Sequence, residues 1–182
     1  MNLYIDTHLD DLVVIISKNN KIVKKEIIKG ERMNSTKLMP LIKEVVPKNE
    51  LESIVVVNGP GSFTGVRIGV TIAKTLAYTL DIPIYTVTSL ECMAISLESD
   101  ERIVAFCDKN GYYVGIFDGE LNLFGEYAYI KNDEYENFSK KYQVFTDVTL
   151  NYEKIIKYAL GRKAINAHAV NPIYIKRLDV EK

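Results

Sequence analysis

Hydrophobic and polar residues follow two different periods along the chain, and together these periods predict an α/β protein. Two segments each contain three apolar runs of strand length separated by short polar turns, which predicts two three-stranded meanders. The runs cover residues 3–5, 12–17 and 22–28 in the first segment and 102–107, 112–117 and 121–130 in the second. The first strand of each meander leads into an aspartate, Asp6 or Asp108, and this recurrence indicates an internal duplication.

Other segments have the longer period of a helix. Residues 32–46 place Leu38, Leu41, Ile42 and Val45 at helical spacing, which predicts an amphipathic helix. Further helices are predicted at 88–97, 133–141 and 152–160, and further strands at 84–87, 143–148 and 173–175. The polar segment 98–102 is the predicted boundary between an N-terminal lobe, residues 1–99, and a C-terminal lobe, residues 100–182.

The chain is organised around residues 51–80. A β-branched run at 54–57 predicts a strand buried on both faces, a glycine-rich turn follows, and a helix begins near Gly65. In this helix Gly65, Gly69, Ala73 and Ala77 fall four apart and leave one flank almost without side chains. Such a flank permits another backbone to approach closely, so it fits either packing on the chain's own sheet or packing against another molecule.

A glycine turn before a helix also suggests a phosphate site, because exposed N–H groups there attract anions. The spacing argues against both common phosphate motifs. A Walker A loop requires a Gly-Lys-Ser/Thr that this turn lacks, and the loop is one residue too long for the dinucleotide pattern GxGxxG. No carboxylate ends the strand at 84–87 to bind a ribose.

Composition narrows the function classes. The 182 residues are 47% hydrophobic, which suits a buried core, and 23 basic against 24 acidic residues give no overall charge for direct, tight binding of nucleic acid. No apolar run reaches membrane-spanning length, the N-terminus is acidic, and two cysteines, Cys92 and Cys107, suit a reducing compartment, so we expect a cytoplasmic protein. His8 and His168 are the only histidines and form no catalytic or zinc-binding motif; no catalytic residue and no metal site is predicted.

Residues 59–69, GPGSFTGVRIG, resemble the signature of the bacterial TsaB (YeaZ) family. The signature positions are Gly59, Pro60, Gly61, Ser62, Phe63, Thr64, Gly65 and Arg67. Matches at 3–7, 32–41, 86–90 and 171–177 extend the resemblance over nearly the whole chain, more strongly in its first half. The resemblance implies the two-lobed actin-like ATPase (ribonuclease H-like) fold, an α/β fold with a mixed sheet and helices in each lobe, here with a shortened C-terminal lobe.

The resemblance also implies a function. Family members are non-catalytic subunits of the complex that transfers a threonylcarbamoyl group to adenosine 37 of tRNA. They pair with and activate the catalytic paralogue TsaD and work with the ATPase TsaE, so ATP and metal are expected in the partners, and tRNA is contacted only through the complex. Residues 35–46 and 65–80 would form half of a four-helix bundle with the paralogue, or a homodimer in the isolated chain. The residues expected at this interface are Leu38, Leu41, Val45, Gly65, Gly69, Ala73 and Ala77.

Asp6 and Asp108 lie where active members of that superfamily grip nucleotide phosphates and a metal ion. Active members place glycine beside each Asp, and here no glycine adjoins either one, which indicates a degraded cleft; two carboxylates could still bind Mg²⁺. The rival function is a stand-alone ATP-dependent kinase or acyltransferase that uses both aspartates and the loop 59–65. A third is an RNA-binding module, which would bind tRNA without partners and with strong salt dependence.

Overall fold

The chain forms two units, each with a mixed β-sheet and helices. The computed structural model describes residues 1–30, 35–47 and 50–175. The first unit contains the described residues of Met1–Ser89 and Glu153–Ile173, and the second contains Leu90–Tyr152 with Tyr174 and Ile175.

The first unit is built on a five-stranded sheet. Strands β1 (Asn2–Asp6), β2 (Leu12–Lys18) and β3 (Lys21–Ile28) form an antiparallel meander, and β4 (Ser53–Val57) and β5 (Ile84–Val87) continue it in parallel, in the order β3-β2-β1-β4-β5. The continuous apolar sequence of β4 suits its central position, where all five residues are buried. Helices α1 (Ser35–Val45) and α2 (Phe63–Leu80) bury their apolar sides in one core with β1, β2 and β4.

The chain returns to the first unit after residue 152. Helix α5 (Tyr152–Leu160) is held to β3 through Glu153, whose carboxylate accepts hydrogen bonds from the Ile22 N–H at 3.2 Å and from Lys21 Nζ at 3.1 Å. The following segment forms one bridge from Ile165 to Ile84 of β5 and then a short 3₁₀ helix, Ala167–Ala169, beside α2.

The second unit contains a four-stranded sheet in the order β8-β7-β6-β9. Strands β6 (Glu101–Asp108), β7 (Gly111–Asp118) and β8 (Ala128–Lys131) are antiparallel, and the short β9 (Val144–Phe145) runs parallel to β6. Helix α3 (Ser89–Ser96) packs on this sheet, and α4 (Asn132–Lys141) contacts it by stacking Tyr135 on Tyr112 with 3.6 Å between ring centroids. The core around α3 contains Leu90, Met93, Ala94, Val104, Phe106, Tyr113 and Phe117.

The predicted α/β class, with a mixed sheet and helices in each of two units, is confirmed. The predicted division at residues 99 and 100 is wrong, because α3 buries its apolar residues in the second unit and Glu153 attaches α5 to the first. The third strand of the second meander is shorter than predicted, since Leu121 and Gly125 have positive φ angles of 68° and 70° that interrupt extended backbone. Residues 173–175 do not form the predicted strand. The predicted helix start at 32–34 and the end of the 171–177 match lie outside the described residues.

Candidate functional site

The glycine turn between β4 and α2 is held by hydrogen bonds from the chain itself. Ser62 caps α2 by accepting the Gly65 N–H on its Oγ at 3.3 Å, and its own N–H donates to the His8 carbonyl at 2.7 Å. The Ser89 hydroxyl donates to the Pro60 carbonyl at 2.6 Å, and the Ser89 N–H donates to the Gly59 carbonyl at 3.1 Å. The turn is therefore fastened to the residues that follow β1 and β5.

The glycines of the signature allow other parts of the chain to approach this turn. A Cβ built on Gly61 would overlap the His8 carbonyl, one on Gly65 would overlap the Thr7 carbonyl, and one on Gly69 would overlap Thr7 Oγ1. At Gly59, where φ is +102°, a Cβ would lie 2.9 Å from the Ile173 carbonyl oxygen. Carbonyl and hydroxyl oxygens of this chain thus occupy the close approach that a phosphate cradle would offer to a ligand.

These contacts correct the predicted partner interface. The small-residue flank of α2 is buried against the chain's own sheet; its residues are Gly65, Gly69, Ala73 and Ala77. Of the two arrangements that the sequence left open, packing on the chain's own sheet is therefore the one observed. Leu38, Leu41 and Val45 lie in the same core and are equally unavailable to a partner. The physical reason is that α2 must descend onto Thr7, and only residues without bulk permit that distance.

A second apolar stripe on α2 lies next to the glycine stripe, at the edge of the core beside α1, and it was not among the predicted interface residues. Ile68, Ile72 and Leu76 are partly buried, and Leu80 is 49% exposed. They repeat every four residues, like the glycine stripe, and that spacing was the signal available in the sequence. Between α1 and α2 this stripe borders a cavity of about 680 Å³. The cavity is lined by Met39, Ile42, Lys43, Val46, Pro47, Leu51, Leu76 and Leu80.

The other signature side chains lie on the surface. Phe63, Thr64 and Arg67 are exposed, and the Arg67 guanidinium lies 3.6 Å from the centroid of the Phe63 ring, in a cation–π contact. The signature therefore combines small residues that pack inward with a cation–aromatic pair that points outward.

Asp6 is buried and fully engaged by neighbouring residues. Its Oδ1 lies 2.6 Å from His8 Nδ1 and accepts the His8 N–H at 3.1 Å, and the Tyr4 hydroxyl donates to its Oδ2 at 3.3 Å. Burial alone would raise the pKa of the Asp6 carboxyl, but the charge of His8 and the hydrogen bonds from His8 and Tyr4 outweigh it and hold the pKa below its usual range. This carboxylate is committed to an internal pair.

Asp108 ends β6 in the second unit, is half-buried and accepts a hydrogen bond from the Tyr129 hydroxyl on Oδ2 at 3.2 Å. Among the residues that the structure describes, no three His, Cys, Asp or Glu side chains come together as a group that could bind a metal ion. His168 lies on the surface, Cys92 is buried and Cys107 is exposed.

Comparison with known proteins identifies the family. The model described as TsaD, tRNA N6-adenosine threonylcarbamoyltransferase, matches residues 26–170. The chain belongs to this family. The "tRNA threonylcarbamoyladenosine biosynthesis protein TsaB" of Bacillus subtilis is 41% identical over 97 residues, covering 50% of this chain and 42% of the relative. The Buchnera aphidicola (Acyrthosiphon pisum) protein of the same name is 29% identical over 163 residues, 80% of this chain and 73% of the relative. The predicted resemblance to TsaB (YeaZ) proteins is confirmed.

Solved structures show the same fold. YeaZ from Pseudomonas aeruginosa superposes with a TM-score of 0.76 at 20% identity, covering 95% of this chain and 98% of that chain. The sequence match spans less than half of the B. subtilis and Haemophilus influenzae relatives, 42% and 37% of their lengths. In the described part of the chain, none of the helices combines the length and apolar character needed to cross a membrane.

Proposed function

We propose that this chain is a TsaB-type subunit of the complex that transfers a threonylcarbamoyl group to adenosine 37 of tRNA. In this role it binds and activates a TsaD-like paralogue, works with a TsaE-like ATPase and performs no step of the transfer itself. Membership of the family and the names of the relatives support the proposal. The complex would act in the cytoplasm, with tRNA contacted through the assembled subunits.

The observation that carries the proposal is the second apolar stripe of α2, which lies beside α1. Ile68, Ile72 and Leu76 are partly buried and pack on the first unit's core, as do Met39 and Val46, and Leu76 lines the cavity between the helices together with Met39 and Val46. Rows of apolar residues on two adjacent helices are the surface that two further helices would cover in a four-helix bundle. Lys43 is the one charged residue lining the cavity between the helices, so its centre is apolar.

The engagement of Asp6 supports the assignment of catalysis to the partner. A carboxylate that binds Mg²⁺ or orients phosphates must offer oxygens to the ligand, whereas both Asp6 oxygens already accept hydrogen bonds from His8 and Tyr4. We therefore place ATP, metal and the acyl-adenylate chemistry in the partner subunits, and we assign no cofactor to this chain.

The decisive experiment measures the affinity of the purified chain for the TsaD-like paralogue of the same organism by calorimetry. Ile72→Glu puts a charge into the apolar row and should weaken binding at least about thirtyfold. Thr71→Glu is the matched control, because Thr71 is the preceding residue, exposed and outside the row; it should change affinity by less than about threefold. Circular dichroism verifies that both variants fold. Unchanged binding by folded Ile72→Glu would remove this surface from the interface.

A matched activity assay tests activation. The paralogue with its ATPase should modify tRNA adenosine 37 markedly faster when the wild-type chain is present, and folded Ile72→Glu should restore little of that rate. Modification at full rate without this chain would contradict the activating role.

A further inference from the structure

The segment after α5 runs along α2 and ends on the turn that precedes it. Ile165 donates its N–H to the Ile84 carbonyl at 2.9 Å, and Val170 is buried in the core that α2 covers. Ile173 then donates its N–H to the Asn58 carbonyl at 2.7 Å, and its own carbonyl faces Gly59. Residues 165–173 therefore contact the structure around α2 at both ends of the helix.

The middle of this segment contacts α2 itself through Lys74 and Tyr78. Lys74 Nζ donates to the His168 carbonyl at 3.3 Å, and the rings of Tyr78 and His168 meet edge to face with centroids 4.8 Å apart. Two cavities of about 490 and 300 Å³ flank this contact, and both are lined by Tyr78, Ala167 and His168. These contacts lie between the two ends of the segment, where backbone hydrogen bonds to Ile84 and Asn58 fix it.

The anchor is Asn58, which binds the segment with its side chain and its backbone. Its Nδ2 donates to the Asn171 carbonyl at 3.2 Å, and its carbonyl accepts the Ile173 N–H. Asn58 is 6% exposed, and its Oδ1 is the one buried side-chain oxygen or nitrogen in the described part of the chain without a hydrogen-bond partner. An unsatisfied buried acceptor costs free energy, and the hydrogen bond from Nδ2 to the segment is the contact that offsets this cost.

We propose that residues 165–173 are a brace that holds α2 in the position required for partner binding, with Asn58 as its positioning residue. The brace lies on the side of α2 away from α1, so it acts on the partner surface through the helix and not by touching the partner. The expected effect of the brace on partner affinity rests on the proposed function. Its expected effect on the position of α2 concerns this chain alone.

The test uses three variants of the full chain. Asn58→Ala removes the side-chain hydrogen bond to Asn171, and Ile173→Pro removes the N–H that donates to Asn58. Ile173→Ala is the matched control for Ile173→Pro, because it shortens the side chain and keeps the N–H. Hydrogen–deuterium exchange of amides in α2 is measured on the isolated chain, and affinity for the TsaD-like paralogue is measured by calorimetry.

Asn58→Ala and Ile173→Pro should each speed exchange of the α2 amides and weaken partner binding by about threefold to tenfold, while Ile173→Ala leaves both near wild type. Unchanged exchange in the two anchor variants would overturn the brace, as would equal effects from Ile173→Ala. If wild type itself does not bind the paralogue, the proposed function fails and the exchange data alone decide the brace.

A second pair guards against variants that fail to fold. Lys74→Met removes the hydrogen bond to the His168 carbonyl at a partly exposed site, and Lys74→Arg keeps a donor there. Faster α2 exchange in Lys74→Met with near-wild-type exchange in Lys74→Arg supports the brace, and equal exchange in both overturns it.

Discussion

Thr7 and Gly65 are joined by a hydrogen bond that links the end of β1 to the first turn of α2. The Thr7 hydroxyl donates to the Gly65 carbonyl at 2.7 Å, although 58 residues separate the two. The same oxygen occupies the space that a Cβ on Gly69 would fill, and the Thr7 carbonyl oxygen occupies the space that a Cβ on Gly65 would fill. Thr7 can therefore approach α2 closely only because both positions are glycine. The glycine stripe therefore faces the core, and Ile68, Ile72 and Leu76 lie next to it as a partly buried second stripe.

A double-mutant cycle between Thr7 and Gly69 should show strong coupling. Gly69→Ala gains helix propensity but forces Thr7 to move, with a net loss of about 1 kcal/mol in the free energy of unfolding. In a Thr7→Ala background the obstructing oxygen is gone, so the same substitution should be neutral or stabilising by up to about 1 kcal/mol. Urea unfolding of the four proteins measures the coupling, and additive effects would mean that the two side chains do not meet.

Gly65→Ala should be more damaging than Gly69→Ala, because its Cβ would meet a backbone carbonyl that cannot rotate away. We expect a loss of about 3 kcal/mol in the free energy of unfolding, not relieved by Thr7→Ala. Gly119→Ala is the control: its Cβ would meet only ordinary contacts with Asp100, the closest at 3.5 Å, and should change stability by less than about 0.5 kcal/mol. Similar losses of unfolding free energy in Gly65→Ala and Gly119→Ala would contradict the close approach at Gly65.

Asp6 should make stability sensitive to acid. Because the pKa of Asp6 is lowered in the folded chain, its contribution is fully present above the unfolded pKa, about 4, and is lost as pH falls through the lower folded value. Asp6→Asn should therefore lower the free energy of unfolding by about 2 kcal/mol at pH 7. The difference in this free energy between wild type and Asp6→Asn should become smaller below about pH 4. Urea unfolding at a series of pH values measures this, and a gap that stays constant down to pH 3 would show that Asp6 carries no such pair.

The isolated chain should not bind Mg-ATP in the micromolar range, since the Asp6 oxygens are occupied by His8 and Tyr4 and the glycine turn is filled by the chain's own carbonyl groups. Calorimetric titration with Mg-ATP tests this directly. Micromolar binding that is lost in Asp6→Asn would instead favour the stand-alone kinase or acyltransferase.

Without its partner, the chain should form a homodimer through the second apolar stripe of α2, because self-association would cover its partly buried residues and the exposed Leu80. Sedimentation velocity over a range of concentrations should show a reversible dimer for wild type and a monomer for folded Leu76→Glu. A dimer that persists in Leu76→Glu would place the contact elsewhere on the molecule.

Several elements were predictable because their signals are local. The alternation along β1 to β3, the β-branched run of β4, the glycine turn and the helical period of α2 each lie within a short window, and the structure places strands, turn and helix there. The lobe boundary was missed for the opposite reason. It depends on α5 meeting β3 through Glu153 and Lys21, a contact that spans 132 residues.

The sequence by itself determined that α2 exists, that a tight turn precedes it and that the chain resembles TsaB (YeaZ) proteins, because periodicity, glycine content and a contiguous motif are properties of neighbouring residues. Only the tertiary structure decided which way α2 faces. The helix carries two stripes with the same four-residue repeat, one small and one bulky, and local spacing cannot choose between them. The orientation is fixed by the contact with Thr7, which approaches Gly65 and Gly69 so closely that only the small stripe fits there.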